Sequence, residues 1–287
     1  MHGVNVVVGN GFLGSAITSE LNSSVPTLML GRNPNTNLAS AKSVISVDFA
    51  STLKSLGAID TLFWAAGPSS PFKVEQQPNL AMEHISYVKK ILSSIDVERI
   101  IYCSSGGAVY GNSEPGIALS ETHSLKPLSV YGKMHMQIEN FLKTIPNVTC
   151  LRISNLYGIS QQPQQQQGLI AYAIRAAKLN IPFDIYGTGE ETRDYISIES
   201  AARQAVMLSK LKTPTVINLG TGVATSTNQI LNIISTSAKV KIQKNYHPKR
   251  NFDVEHNLLD ISRLRKFVST EVKSVVDVIP LLLEPIN

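Results

Sequence analysis

The first residues of this chain whose types and spacing can do chemistry are Gly9-Asn10-Gly11-Phe12-Leu13-Gly14. They follow the β-branched run Val4 to Val8 and open a helical pattern, which is the setting in which G-x-G-x-x-G holds a dinucleotide pyrophosphate. Gly9 permits the tight turn, Gly11 lets the backbone approach the pyrophosphate, and Gly14 lets helix and strand pack closely. Phe12 and Leu13 begin the helix, whose unpaired N–H groups and positive dipole end attract phosphate. The plain alternative is a glycine-rich structural turn. Further strand-helix units downstream favour the ligand-binding reading.

An NAD site commonly carries an acidic residue at the end of the second strand, bonded to the adenosine ribose. This chain reads Leu30-Gly31-Arg32-Asn33 at that point. With no carboxylate to repel a 2′-phosphate, and with the Arg32 guanidinium offering it a bidentate partner, NADP(H) is the expected cofactor and NAD the alternative. Asp48, closing the third strand-like run, has two open readings. It contacts the adenine amine, or it caps the helix that begins near Ser51-Thr52.

Such residues need a sheet to hold them. Strand-like runs at Val4 to Val8, Thr27 to Leu30, Val44 to Val47, Thr61 to Ala65, Arg99 to Tyr102 and Val148 to Ile153 alternate with other patterns. Helical patterns fill Phe12 to Leu21, Ala81 to Ser94 and Tyr131 to Lys143. This rhythm predicts an α/β fold, a Rossmann doubly wound parallel sheet built by right-handed crossovers. It changes after Asn155, where Gln161 to Gln167 reads as a polar loop. The expected organisation is a dinucleotide-binding domain over 1–155, with 186–222 returning to it. A smaller, discontinuous C-terminal substrate lobe is expected from 156–185 and 223–287.

Composition excludes several classes. With 43% hydrophobic and 16% charged residues over 287 positions, the chain is globular and long enough for one large core or two lobes. No apolar run is long enough to span a bilayer, because Val275 to Ile286 is broken by Asp277, Pro280 and Glu284. Met1 leads directly into the first strand without a leader pattern, so a cytoplasmic location is expected. The formal charge of +5 is scattered, with Lys89-Lys90 and Lys249-Arg250 the densest clusters, and no nucleic-acid partner is expected. Cys103 and Cys150 lie in strand-like runs without metal-ligand spacing, so they read as buried thiols and no metal is expected.

Further segments carry a resemblance. Ala65-Ala66-Gly67, Ser104-Ser105-Gly106-Gly107-Ala108-Val109-Tyr110-Gly111, Arg152 to Gly158, Thr192-Arg193-Asp194-Tyr195-Ile196 and Asn218-Leu219-Gly220-Thr221-Gly222 together resemble the extended short-chain dehydrogenase/reductase family of sugar-nucleotide epimerases, dehydratases and ketoreductases. The resemblance covers nearly the whole chain. It implies that Ala65, Ala66, Gly67 and Ser104 lie against the cofactor. It also implies that Asn155 meets a substrate diphosphate, and that Gln167-Gly168-Leu169-Ile170 presents backbone to a uracil-type base, with Gly168 and Leu169 at its centre. Arg193 and Arg250 are then candidate clamps for a nucleoside diphosphate, since guanidinium binds phosphate bidentately. An ion pair of Arg193 with Asp194 is the bland alternative. The implied partner is a nucleoside-diphosphate sugar. The oligomeric state stays open, a homodimer included.

The same resemblance implies a Tyr-x-x-x-Lys pair, and here the chain departs from it. Tyr131-Gly132-Lys133-Met134-His135 keeps the tyrosine but puts histidine four residues on. Residues i and i+4 share a helix face while i+2 points away, so Lys133 is a poor substitute. His135 either holds the nicotinamide ribose or is a satisfied, partly buried histidine. The serine or threonine that bonds the sugar oxygen is replaced by Gly106. Ser105 beside it is the candidate replacement, with bonding of the turn backbone as its other role.

A neutral histidine in place of a lysine ammonium leaves the tyrosine nearer its free pKa, protonated and suited to donating a proton to a ketone. The expected activity is therefore NADPH-dependent reduction of a nucleoside-diphosphate 4-keto-sugar. The alternatives are a UDP-sugar 4-epimerase with bound NAD and a non-catalytic dinucleotide-binding protein. Calorimetric titration should show NADP(H) binding more tightly than NAD(H), with Arg32→Ala narrowing the gap. Equal or reversed affinities in the wild type would remove the case for NADP(H).

Overall fold

The computed structural model describes residues 3–21, 26–31, 42–45, 49–158, 161, 168–269 and 272–283. Arg32 and Asp48 lie outside them. The first lobe runs β1 (Val4–Val8), α1 (Phe12–Glu20), β2 (Thr27–Gly31), β3 (Lys42–Ile45), α2 (Phe49–Ser55), β4 (Ile59–Trp64), α3 (Pro71–Gln76) and α4 (Asn79–Leu92). It continues through β5 (Val97–Ser105), α5 (Gly106–Val109), α6 (Val130–Leu142) and β6 (Val148–Ile153). Then follow β7 (Asn155–Tyr157), α7 (Leu169–Leu179), β8 (Phe183–Tyr186), β9 (Thr192–Ser197), α8 (Ile198–Ser209) and β10 (Val216–Leu219). The chain closes with β11 (Ala224–Ser226), α9 (Thr227–Ala238), β12 (Lys244–His247), β13 (His256–Asn257) and α10 (Val275–Leu283).

Seven parallel strands form one sheet in the order β10-β6-β5-β4-β1-β2-β3. The order reverses between β1 and β4, and open α/β sheets bind ligands at the carboxyl ends of strands at such a point. Alternation along the strands sorts the core into two layers. Val7, Met29, Phe63, Ile101, Leu151 and Ile217 pack on one face with Ile17 of α1 and Ala201 and Ala205 of α8. Val6, Leu28, Leu62, Ile100 and Tyr102 pack on the other with residues of α2, α4 and α6.

The second lobe has its own apolar core, in which Ile174, Phe183, Ile185, Ile230 and Ile279 are buried. Its sheet joins β11-β9-β13, with β7 also on β9, and a separate pair joins β12 to β8. Two expected boundaries shift. Residues 192–197 form the central strand of the second sheet, so the return to the main sheet begins with α8 instead of at 186. Leu259, Ile261, Leu264 and Val268 pack into the Rossmann core rather than the second lobe, because Leu259 bridges Leu119 beneath β10.

One buried polar cluster crosses these layers. Glu139 of α6 pairs with Arg152 of β6 at 2.7 Å, with side-chain exposures of 1% and 4%. Ser104 of β5 donates its hydroxyl to Glu139 at 2.5 Å. Arg152 also donates to the Tyr110 hydroxyl, which donates to Asn218 of β10. Asn218 in turn donates its amide to the carbonyls of Leu119 and Asp260. Breaking such a pair on one side strands a charge in the interior, at a cost of about 3–5 kcal/mol. Glu139→Gln should lose stability of that order in urea unfolding, and adding Arg152→Met should recover much of it. A single variant as stable as the wild type would show that the pair does not hold the helix to the sheet.

Candidate active site

The glycine turn has the geometry that its spacing predicts. Gly9 sits at φ +115°, in the region that side chains with a Cβ rarely adopt, and its N–H donates to Leu30 O at 2.8 Å. A Cβ on Gly14 would lie 1.8 Å from Gly9 O, so only glycine lets the helix approach the strand this closely. At Gly11 a Cβ would meet nothing within 4 Å, and that residue caps α1 without any side-chain bond to its N–H groups. Phe12 and Leu13 are half-buried in the first turn. Across the switch point, Ala65 and Ala66 supply the backbone atoms nearest Gly9, while a Cβ on Gly67 would meet nothing within 4 Å. This cradle fits a dinucleotide pyrophosphate: a helix start with no side-chain cap and no acid in its first turn adjoins glycines at which a Cβ would meet nothing within 4 Å.

Helix α6 presents the candidate reacting groups. Ser129 caps it by accepting from Gly132 N–H, and Glu75 accepts from Val130 N–H at 2.8 Å. Tyr131 and His135 follow on one face, their rings edge to face at 4.6 Å between centroids. Lys133 is exposed on the other side, as the i+2 argument requires. Tyr131 is half-buried, and burial first, then nearby Cys103, pushes its pKa up to about 12. His135 is 4% exposed, and its pKa is pushed down to about 3 by burial and then by His84. Its Nδ1 lies 2.9 Å from the Tyr102 hydroxyl. The imidazole is thus neutral and enclosed behind the tyrosine.

At the serine-glycine turn after β5, Ser104, expected against the cofactor, is 4% exposed and turns its hydroxyl to Glu139. Strand parity is the cause, since Tyr102 and Ser104 both face α6. Ser105 has the parity of Cys103, is half-buried, and makes no capping bond to α5. Gly106 leaves no room for the missing hydroxyl, because a Cβ there would meet Arg152 O at 2.8 Å and Leu259 Cδ1 at 2.9 Å. Its carbonyl accepts from Asn257 Nδ2 at 3.1 Å, which fastens the second lobe to the turn.

The candidate substrate residues line both lobes. Asn155 donates to Asp194 O at 3.1 Å and lies over the α5 turn, where a Cβ on Gly107 would come within 3.1 Å of its amide. Gly168 starts α7 at φ +80°, followed by half-buried Leu169. Arg193 does not pair with Asp194. It donates to the carbonyls of Thr192, Val254 and Glu255, while Asp194 accepts from Thr221 and Gly222. Arg250 forms a two-point pair with Asp253 and lies 4.4 Å above the Tyr186 ring.

Sequence reasoning missed Asp253, although its i+3 spacing from Arg250 was visible. It also missed Glu139, which extends the 131, 135 series by one more i+4 step. Tyr102 carried no sequence signal as a partner of His135. Among the described residues there is no metal-binding group, and no helix is long and apolar enough to cross a membrane.

The fold and glycine turn define a Rossmann-type α/β protein. The chain belongs to the NAD dependent epimerase/dehydratase family, which it matches over residues 5–220, within the extended short-chain dehydrogenases/reductases. It is 31% identical over 182 residues to a putative UDP-glucose 4-epimerase of Methanocaldococcus jannaschii, covering 61% of this chain and 59% of that one. It is 32% identical over 173 residues to a dTDP-4-dehydro-6-deoxyglucose reductase of Escherichia coli, covering 58% and 54%. The matched segments thus span somewhat over half of these relatives. The Thermus thermophilus UDP-glucose 4-epimerase, solved in complex with NAD, shares the fold, with a TM-score of 0.84 at 20% identity and 97% of each chain covered.

Two glycines separate fold from ligand. Gly14→Ala should destabilise the chain, because its Cβ meets backbone. Gly11→Ala should keep the wild-type melting temperature yet lose at least tenfold in dinucleotide affinity. Unchanged affinity in Gly11→Ala, measured by calorimetry, would place the pyrophosphate elsewhere.

Proposed function

We propose that this chain is an NADPH-dependent reductase of a nucleoside-diphosphate 4-keto-sugar. The observation that carries the reading is the edge-to-face packing of Tyr131 at 4.6 Å on a histidine, 4% exposed, that stands where a lysine is expected; burial pushes the Tyr131 pKa up and the His135 pKa down. With a pKa of about 12, on the order of one tyrosine in 10⁵ is ionised at pH 7. Such a group is a poor base for starting a reaction by oxidising a hydroxyl, and a competent acid toward a carbonyl oxygen. Arg32 supports NADPH over NADH, and the similarity to a keto-sugar reductase supports the substrate class.

The turn Gly9 to Gly14, with Ala65 to Gly67, would hold the dinucleotide, which when bound supplies the reducing equivalent to the sugar carbon. Tyr131 donates its phenolic proton to the sugar oxygen, with half-buried Ser105 the candidate hydroxyl of the turn after β5. Asn155, Arg193 and Arg250 hold the nucleoside diphosphate, aided by the backbone at Gly168 and Leu169. Arg193 is fixed by three carbonyls, so its charge is set in place before substrate arrives.

A second reading, a UDP-sugar 4-epimerase with bound NAD, is favoured by the names of several relatives and by retention of Tyr131. The two differ in cofactor stoichiometry. A reductase consumes one NADPH per keto-sugar reduced, whereas an epimerase interconverts two sugar nucleotides with no net cofactor change. Cofactor binding without turnover on any keto-sugar nucleotide would leave the non-catalytic reading.

Tyr131→Phe should abolish turnover and leave cofactor affinity within about twofold. The sign of the pH dependence follows from the raised pKa. Reduction should stay level through neutral pH into the alkaline range, while the reverse oxidation should climb about tenfold per pH unit, because only the small ionised fraction works. His135→Lys should move that oxidative limb at least one unit toward lower pH. Superimposable profiles for the two active proteins would show that residue 135 does not tune Tyr131.

A further inference from the structure

We propose that Tyr102 is a positioning residue for Tyr131: its O–H donates to His135 Nδ1 and locks the imidazole as the neutral tautomer protonated at Nε2. The inference rests on the reading of Tyr131 as the proton donor, and it assigns a part to a residue of β5 outside the glycine turn, the Tyr-x-x-x-His pair and the substrate lobe.

The argument is a count of buried protons. Tyr102 is 1% exposed and His135 4% exposed, and their contact is Tyr102 Oη to His135 Nδ1 at 2.9 Å. Among the described residues His135 Nε2 has no hydrogen-bond partner. If Nδ1 carried the imidazole proton, it would donate to Oη. The buried phenolic O–H and the buried Nε2 lone pair would then both go unpaired. If the phenol donates to Nδ1, the only unmatched group is Nε2–H, since an unused phenol lone pair costs little. The second arrangement satisfies more of the site, and it forbids a proton at Nδ1, the position where imidazolium would otherwise form.

The surroundings give no reason for imidazolium either. His84 of α4, Cys103 on β5 and Cys150 on β6 lie about this cluster, and Glu139, one helical turn beyond His135, is committed to Arg152. The Tyr131 ring packs edge to face on the imidazole at 4.6 Å, and the Tyr102 ring is tilted to it at 5.8 Å. A histidine in contact with two tyrosines, with its hydrogen-bonding sense set by one, holds the other in a single orientation. This accounts for a histidine at a position where its charge is not used.

The test is a long-range ¹H–¹⁵N correlation of the imidazoles in the uniformly labelled full chain, with the His135 signals identified by their loss in His135→Gln. The wild type should show His135 protonated at Nε2 only, with shifts constant from about pH 6 to pH 9. Tyr102→Phe preserves the ring and should keep the fold, and its His135 signals should move to those of mixed tautomers. In the reductase assay it should lower kcat by about tenfold while the KM for NADPH stays within about twofold. A wild-type His135 protonated at Nδ1, or titrating near neutral pH, would overturn the proposal, as would unchanged imidazole shifts in Tyr102→Phe. The wild-type spectrum decides even if the variant fails to fold. It also separates this proposal from the reductase reading, because the tautomer is read without turnover.

Discussion

A carboxylate held at 1% exposure inside a helix-sheet interface persists only when a cation and further donors meet it. Glu139 has Arg152 and Ser104, and most of the site's geometry follows from that junction. Because Glu139 lies two turns after Tyr131 on α6, pinning it to β6 fixes the height and rotation of the helix that presents the tyrosine. Arg152 stands three residues before Asn155, so the same bond fixes where the substrate-facing strand leaves the sheet. Through Tyr110 and Asn218 the cluster reaches β10 and the segment around Leu119 and Asp260. Groups that must act together are thereby tied to one rigid buried point, as a preorganised site requires.

Tyr131 and His135 sit just outside that junction, in a more apolar setting. Their neighbours there are aromatic rings, thiols and a second histidine, and burial pushes each toward its uncharged form. The division is physical. Charges are concentrated where they can pair, and the Tyr131 phenol lies where burial raises its pKa.

The second lobe is attached by side-chain bonds to backbone. Asn257 donates to the carbonyl of Gly106, and Asp194 accepts from the N–H groups of Thr221 and Gly222, while Arg193 ties β9 to the segment before β13 within the lobe. Gly106 shows why the nicotinamide-side turn lacks its hydroxyl. Arg152 O and Leu259 occupy the space that a side chain would need, so the departure is built into the packing and a lone Gly106→Ser change cannot reverse it.

What the sequence by itself determined was what local spacing controls. The glycine turn and its place between strand and helix, the parallel alternating sheet, and the shared face of Tyr131 and His135 all depend on backbone sterics and on periods of 2 and 3.6 residues. Each was legible within a dozen positions. Tertiary structure alone decided the partners across long separations. Ser104 turns its hydroxyl to Glu139, and His135 meets Tyr102, 33 residues earlier. Arg193 meets Val254 and Glu255 instead of Asp194, and residues 259–268 pack into the first lobe. These pairings depend on strand register and on which face each strand turns to its neighbours, quantities that emerge only when elements far apart in the chain are packed together.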